Sequence, residues 1–144
     1  MARYGVGFTK AAPAAGTFIS QLRTTSTKDV RIWEVGVSNS TAVASSVGLI
    51  RSLTVGATFT TVTPVTEDPS AGAATALCDT AITTAPTITA NTFLRKIVLP
   101  ATIGAGIIWT FPNGLIVPVS AGIMLWNFGG ATAAALEGYW VYDE

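Results

Sequence analysis

Apolar and polar positions along the chain alternate mostly with a period of two, and helical periodicity is almost absent. The alternating runs are rich in Val, Ile, Thr and aromatic residues and end at Gly, Pro, Asn or Ser, which predicts strands. In the first half the strands are expected at Thr17–Thr24, Val30–Ser38, Val47–Val55 and Ala57–Val65, the last ended by Pro64. Strict alternation in Val30–Ser38 places Arg31, Trp33, Val35 and Val37 on one face and Val30, Ile32, Glu34 and Gly36 on the other. Leu49 and Leu53 are expected to point inward. Glu67-Asp68-Pro69-Ser70-Ala71-Gly72 reads as a turn, Ala74–Asp79 as a short strand, and Thr80–Asn91 as an edge segment that tolerates its prolines.

The second half is more regular. Thr92–Leu99 is expected as a strand with Phe93, Arg95, Ile97 and Leu99 on one face. Ile107–Phe111 and Leu115–Val119 read as two strands around Pro112-Asn113-Gly114, because Asn-Gly supplies residues that tolerate positive φ. After a break at Ser120-Ala121-Gly122, Ile123–Phe128 reads as a buried strand. The last strand is Leu136–Tyr142, with Leu136, Gly138, Trp140 and Tyr142 sharing one face. The Ala-rich pieces at 11–15 and 131–135 are short, broken by Pro or flanked by Gly129-Gly130, and read as loops.

About eight strands with turn signals between them predict an all-β, antiparallel β-sandwich. A jelly roll is the first topology expected and an immunoglobulin-like sandwich the second. Met1–Ala15, with small residues and Pro13, is expected as an N-terminal arm, and residues 16–144 as a single sandwich domain.

Composition narrows what such a domain does. Lys and Arg number 8, as do Asp and Glu, so no net field draws in nucleic acid. Charged residues are 11% of the chain, against about 25% in an ordinary soluble domain. A chain so poor in charge is prone to associate. The most apolar stretch, Ile103–Phe128, is interrupted by Pro112, Asn113, Gly114, Pro118, Ser120 and Gly122, so no transmembrane span is expected. The N-terminal residues lack the charged region and apolar core of a secretion signal, which implies synthesis in a cytoplasm without export.

Candidate chemistry is sparse. There is no His, which removes the commonest acid/base, the commonest metal ligand and the Ser-His and Cys-His pairs. No zinc-ligand spacing exists. Cys78 is the single cysteine and reads as a small semi-buried side chain. Glu67 with Asp68 is the one carboxylate pair considered for calcium or glycoside hydrolysis, and adjacent loop carboxylates are usually solvated turn residues. Gly5-Val6-Gly7 and Gly104-Ala105-Gly106 lack the Lys-Ser/Thr and following helix of a phosphate loop. The basic residues Arg3, Lys10, Arg23, Lys28, Arg31, Arg51, Arg95 and Lys96 are scattered, and Arg51 in an apolar strand suggests a charge paired at a subunit contact. Trp33, Trp109, Trp126 and Trp140 all lie in expected strands, which favours core or interface over sugar platforms. No catalytic, cofactor-binding or metal residue is assigned.

Two stretches carry a resemblance. One is Arg31-Ile32-Trp33-Glu34-Val35-Gly36-Val37-Ser38-Asn39, followed by Gly48-Leu49-Ile50-Arg51-Ser52-Leu53-Thr54. The other is Leu125-Trp126-Asn127-Phe128-Gly129-Gly130-Ala131-Thr132 with Tyr139-Trp140-Val141-Tyr142-Asp143-Glu144. In pattern and size they resemble the head decoration, or cement, proteins of tailed bacteriophages of jelly-roll type. The resemblance implies a homotrimer on the exterior of a capsid, bridging capsomers of the major capsid protein, and brings no catalytic residue; the composition and motifs read above give no reason to expect an enzyme, a cofactor, or a nucleic-acid or membrane partner.

Overall fold

The computed structural model describes residues 1–14, 16–52, 54–129 and 134–144, with side chains throughout except at 89–91. The described residues form eleven strands and no helix: β1 (Arg3–Lys10), β2 (Thr17–Arg23), β3 (Val30–Asn39), β4 (Ser45–Ser52), β5 (Ala57–Val62), β6 (Val65–Thr66), β7 (Leu77–Thr84), β8 (Ile88–Leu99), β9 (Gly106–Val117), β10 (Gly122–Asn127) and β11 (Leu136–Asp143). They build two antiparallel sheets, ordered β6-β1-β11-β3-β9 and β5-β7-β2-β10-β4-β8. The sheets pack face to face as a β-sandwich. The expected fold class is therefore observed, with more strands than the sequence suggested.

The core between the sheets follows the period-two pattern. β1 supplies Tyr4, Val6 and Phe8, and β11 supplies Leu136, Trp140 and Tyr142. From the opposite sheet come Ile19, Leu22, Val47, Leu49, Ile123 and Leu125. Each such side chain, fully buried, contributes roughly 1.5–3 kcal/mol. A second cluster of Phe18, Ile50, Met124 and Trp126 lies apart from this core, with Ile82, Ile88, Phe93 and Phe128 packed on it. β10 consequently has no exposed residue, because its alternate side chains enter different clusters.

Four expectations are corrected. The N-terminal segment is not an arm over most of its length: Arg3–Lys10 is β1, paired with β11 along its whole length and with β6 at Tyr4 and Gly5. Its Tyr4-x-Val6-x-Phe8 alternation is the physical reason, since those three side chains have a core to enter. Pro112-Asn113-Gly114 does not reverse the chain. Both halves of β9 pair with β3, Ile107–Thr110 against Glu34–Val37 and Leu115–Val117 against Val30–Ile32. The four residues between them bulge out opposite Trp33 alone. Gly114 there has φ +68°, and a Cβ would lie 2.1 Å from Arg31 Cγ, so only glycine fits.

The same bulge breaks the alternation expected for Val30–Ser38. Trp33 is also the extra residue opposite β11, so Val30 and Ile32 are buried before it and Val35 and Val37 after it. In β8, Leu94 is an extra residue opposite Leu49 and Ile50, which puts Phe93 on the second cluster while Ile97 and Leu99 stay with the main core. Leu53 lies outside the described residues; Leu49 is fully buried as expected.

Residues between β4 and β8 leave the central strands and close one side of the sandwich. β5 and β7 extend one sheet beyond β2, and β6 extends the other beyond β1. Tyr4 donates its hydroxyl to the Gly72 carbonyl at 3.0 Å. The Glu144 carboxylate accepts from the Thr75 and Ala76 N–H groups at 2.6 and 2.9 Å and from the Thr75 hydroxyl at 2.9 Å. The opposite side, where β8 and β9 are the two sheet edges, has no such cover among the described residues.

Candidate functional site

The loops at one end of the sandwich are held by two buried amides. Asn39 Nδ2 donates to the carbonyls of Val43 and Pro100 at 3.1 and 2.8 Å, tying the β3–β4 turn to the β8–β9 turn. Asn127 Nδ2 donates to Pro13 and Ala14, and its Oδ1 accepts from the Gly129 N–H, fixing the β1–β2 loop beside the chain leaving β10. At the other end, Thr24 Oγ1 donates toward Pro118 O and accepts from the Ala121 N–H, so one hydroxyl closes the β9–β10 turn. These groups satisfy backbone atoms and present nothing to a substrate.

The sequence candidates for chemistry are separated and internally engaged. Asp68 accepts from the side chain and N–H of Ser70, which holds its carboxyl below the usual range; it is a turn residue. Glu67 lies exposed beside it, and no group of three or more acidic or thiol ligands that could hold a metal occurs among the described residues. Cys78 is buried against Ser20 Oγ at 3.6 Å. Burial pushes its thiol up to about 11 against the pull of that hydrogen bond, opposite to the shift a nucleophilic thiolate needs. Gly5 and Gly7 lie in β1, and Gly104 has φ +79° in the β8–β9 turn, so neither glycine pair precedes a helix.

The charged residues show the same economy. The two ion pairs among the described residues are Arg3–Asp143 and Arg23–Asp79. Burial pushes the Asp143 carboxyl up, but hydrogen bonding to Arg3 and Trp33 and the positive charges of Arg3 and the N-terminus together outweigh it, so the net shift is downward. Arg51 is exposed and belongs to neither pair. Arg95 lies over the Phe111 ring, and Lys96 over both Phe93 and Phe128, so these neighbours do point to different faces. Trp140 is fully buried, Trp109 and Trp126 nearly so, and Trp33 is half-buried under the Arg3 guanidinium. None stands out as a flat platform for a sugar.

What the molecule does present is a glycine-rich, largely apolar outer face on one sheet. On the outer face of the β1-β11-β3-β9 sheet, Gly7, Tyr139, Gly36 and Ile108 stand in one cross-strand row. Tyr139 lies over Gly36, where a Cβ would sit 2.2 Å from the ring, and donates its hydroxyl to Glu34. The row, with Gly106 and Glu137, floors an open trough of about 770 Å³. The trough adjoins β9, and five of the nine large exposed hydrophobics among the described residues fall between Val98 and Val119. They are Val98, Ile103, Ile108, Ile116 and Val119, each 46 to 67% exposed. No charged residue occurs between Lys96 and Glu137.

The chain matches no family model, no curated protein and no solved structure. The functional reading therefore rests on its own surface and on the residue pattern. Sequence reasoning named no site residue; the exposed Ile108 and Ile116 were hidden because an apolar residue in a strand is ordinarily assigned to the core.

Proposed function

We propose that this protein is a non-enzymatic virion structural protein, a decoration protein that packs on the exterior of a phage capsid and stabilises the shell. The carrying observation is the run of exposed apolar residues Val98, Ile103, Ile108, Ile116 and Val119 along β9 and its flanks, in a chain of which 11% of residues are charged. Surface of that kind has little to offer a small polar substrate and much to offer another protein.

The connectivity supports the jelly-roll form of this reading. With the β5–β7 excursion set aside, successive strands change sheets at every step except β4 to β8, with β1-β11-β3-β9 facing β2-β10-β4-β8. Such connectivity supports reading the sandwich as an eight-stranded double-sheet roll. The homotrimeric state and the major capsid protein as partner belong to the same proposal.

Electron microscopy of intact particles from an infection producing the protein tests it. Sandwich-sized density on the outer shell, lost when the gene is deleted, is expected. Density confined to the tail would move the protein to another virion role, and absence from particles would overturn the proposal. A carbohydrate-binding module is the reading disfavoured by the structure, since its tryptophans are buried or covered.

A further inference from the structure

Charge is divided across the sandwich although it sums to zero. Strands β4, β8, β9 and β10 carry Arg51, Arg95 and Lys96 and not one carboxylate. From Thr80 to Leu136 the chain has no Asp or Glu. Glu67, Asp68 and Asp79 belong to the covered flank, and Glu137, Asp143 and Glu144 to β11 and the chain end.

Two of the basic residues meet at the bulge of the edge strand β9. The Arg31 side chain, on β3, lies across Gly114, where a Cβ would come within 2.4 Å of its Cδ. Arg95, on β8 of the other sheet, reaches over the Phe111 ring, its guanidinium carbon 5.6 Å from the ring centre. The bulge from Phe111 to Gly114 therefore has an arginine at either end. Arg95 is exposed and gives one N–H to the Leu94 carbonyl at 2.8 Å. Neither arginine belongs to an ion pair among the described residues. Glu34, opposite Thr110 on the neighbouring strand, already accepts from Tyr139. Before and after the bulge stand Ile108 and Ile116, 57% and 46% exposed. Along this edge the surface reads apolar, basic, apolar.

We infer that an extended, acidic segment of another protein pairs with the β9 edge as an added strand. Its carboxylates meet Arg31 and Arg95, and its apolar side chains lie against Ile108 and Ile116. An open strand edge recruits a further strand through its backbone, and side chains set which one. A guanidinium presents forked N–H donors that fit a carboxylate. Here the edge supplies the donors and lacks the anion, so the partner brings it. A second copy meeting this edge with its own would set arginine against arginine, which repels. Nucleic acid offers anions but little to cover the two isoleucines.

This inference rests on the reading that the protein packs on a shell, and it names the edge used and the chemistry met there. Particles from an infection lacking the gene are the probe, and purified full-length protein is added back to them. Wild type should bind, and Arg31→Glu and Arg95→Glu should each weaken binding about tenfold or more. Lys28→Glu, the same change of charge in the exposed β2–β3 loop, should bind as wild type does. Circular dichroism and melting temperature check each fold, and Arg31→Gln and Arg95→Gln stand in where a reversal disturbs it. Arg95→Lys keeps the charge and supplies an amine. Carbodiimide treatment of particles coated with that variant should join the amine to an Asp or Glu of a different protein, read by mass spectrometry. Binding indifferent to both arginines, binding weakened equally by Lys28→Glu, or no such link overturns the inference and leaves the decoration reading standing. A link to a second copy of this chain, or binding abolished by nuclease, overturns it by naming another occupant. Failure of wild type to bind overturns both proposals.

Discussion

Arg23 grips Asp79 through two hydrogen bonds at once, Nε to Oδ2 at 2.9 Å and Nη2 to Oδ1 at 3.1 Å. Gln21 Nε2 adds a third at 3.2 Å, and Thr61 Oγ1 a fourth at 3.0 Å. The carboxylate belongs to β7 and its partners to β2 and β5, so one buried anion joins three strands. The Phe59 ring lies 4.0 Å from the guanidinium carbon and shields it. Arg23→Met leaves that anion unpaired, and such a loss costs about 3–5 kcal/mol. Asp79→Asn should cost less, because the charge it leaves unpaired, the Arg23 guanidinium, is 16% exposed to water whereas the Asp79 carboxylate is fully buried. Urea unfolding of the two variants should rank them in that order.

A fully buried hydrogen bond joins the two sheets across the core. Trp140 Nε1 on β11 donates to Ser20 Oγ on β2 at 3.1 Å, with both residues fully buried. Ser20→Ala leaves the indole N–H without that acceptor and should cost about 1–3 kcal/mol. The thermal midpoint should fall accordingly, with the tryptophan fluorescence of the native state altered.

Two glycines close together should respond oppositely to alanine. At Gly138 a Cβ would lie 2.4 Å from Phe8 Cζ and 2.5 Å from the Gly36 carbonyl oxygen, and backbone cannot step aside cheaply. Gly138→Ala should lose about 1–3 kcal/mol through overpacking. At Gly7, on the outer face, the nearest atom would be Gly138 O at 3.8 Å. Gly7→Ala should be near neutral or slightly stabilising by chemical denaturation.

Alkali should weaken the fold in two steps. The Cys78 thiol is raised by burial from 9.0 to about 11, so the unfolded chain releases its proton first. Stability is then complete below about pH 9 and falls as pH rises toward 11. Tyr139, raised by burial and by Glu34 from 10.0 to about 12, adds a second decline between about pH 10 and 12, and Tyr4 and Tyr142, also raised by burial, add to it above pH 10. Urea midpoints measured from pH 8 upward should show the fall. Cys78→Ser should flatten its first part whatever it does to the baseline.

Strand identity was legible where alternation meets a single core face, as in Leu136–Tyr142, and in the uniformly apolar Ile123–Phe128. It failed where the chain bulges. Nothing in Arg31-Ile32-Trp33-Glu34 announces that Trp33 is skipped by both neighbouring strands, because a bulge is set by pairing across strands and not by local preference. Asn-Gly likewise carries only local conformational freedom; whether it turns the chain or bows it out depends on β3 lying alongside both halves of β9. The N-terminal strand was misread for a different reason. Gly5 and Gly7 suggest slack backbone, while the informative positions are the residues between and beside them, Tyr4, Val6 and Phe8. The apolar flank was legible only as a deficit of charge, with no sign of which strands would be edges.

β11 lies between β1 and β3, and Ala2 and Glu144 exchange reciprocal backbone hydrogen bonds at 3.1 Å. β1 is made well before β11, the strand that pairs along its whole length. Until residues 136–143 emerge, one sheet has a gap at its centre, and closing so long a loop is slow. A product cut short by those eight residues lacks the piece that laces its beginning to its middle.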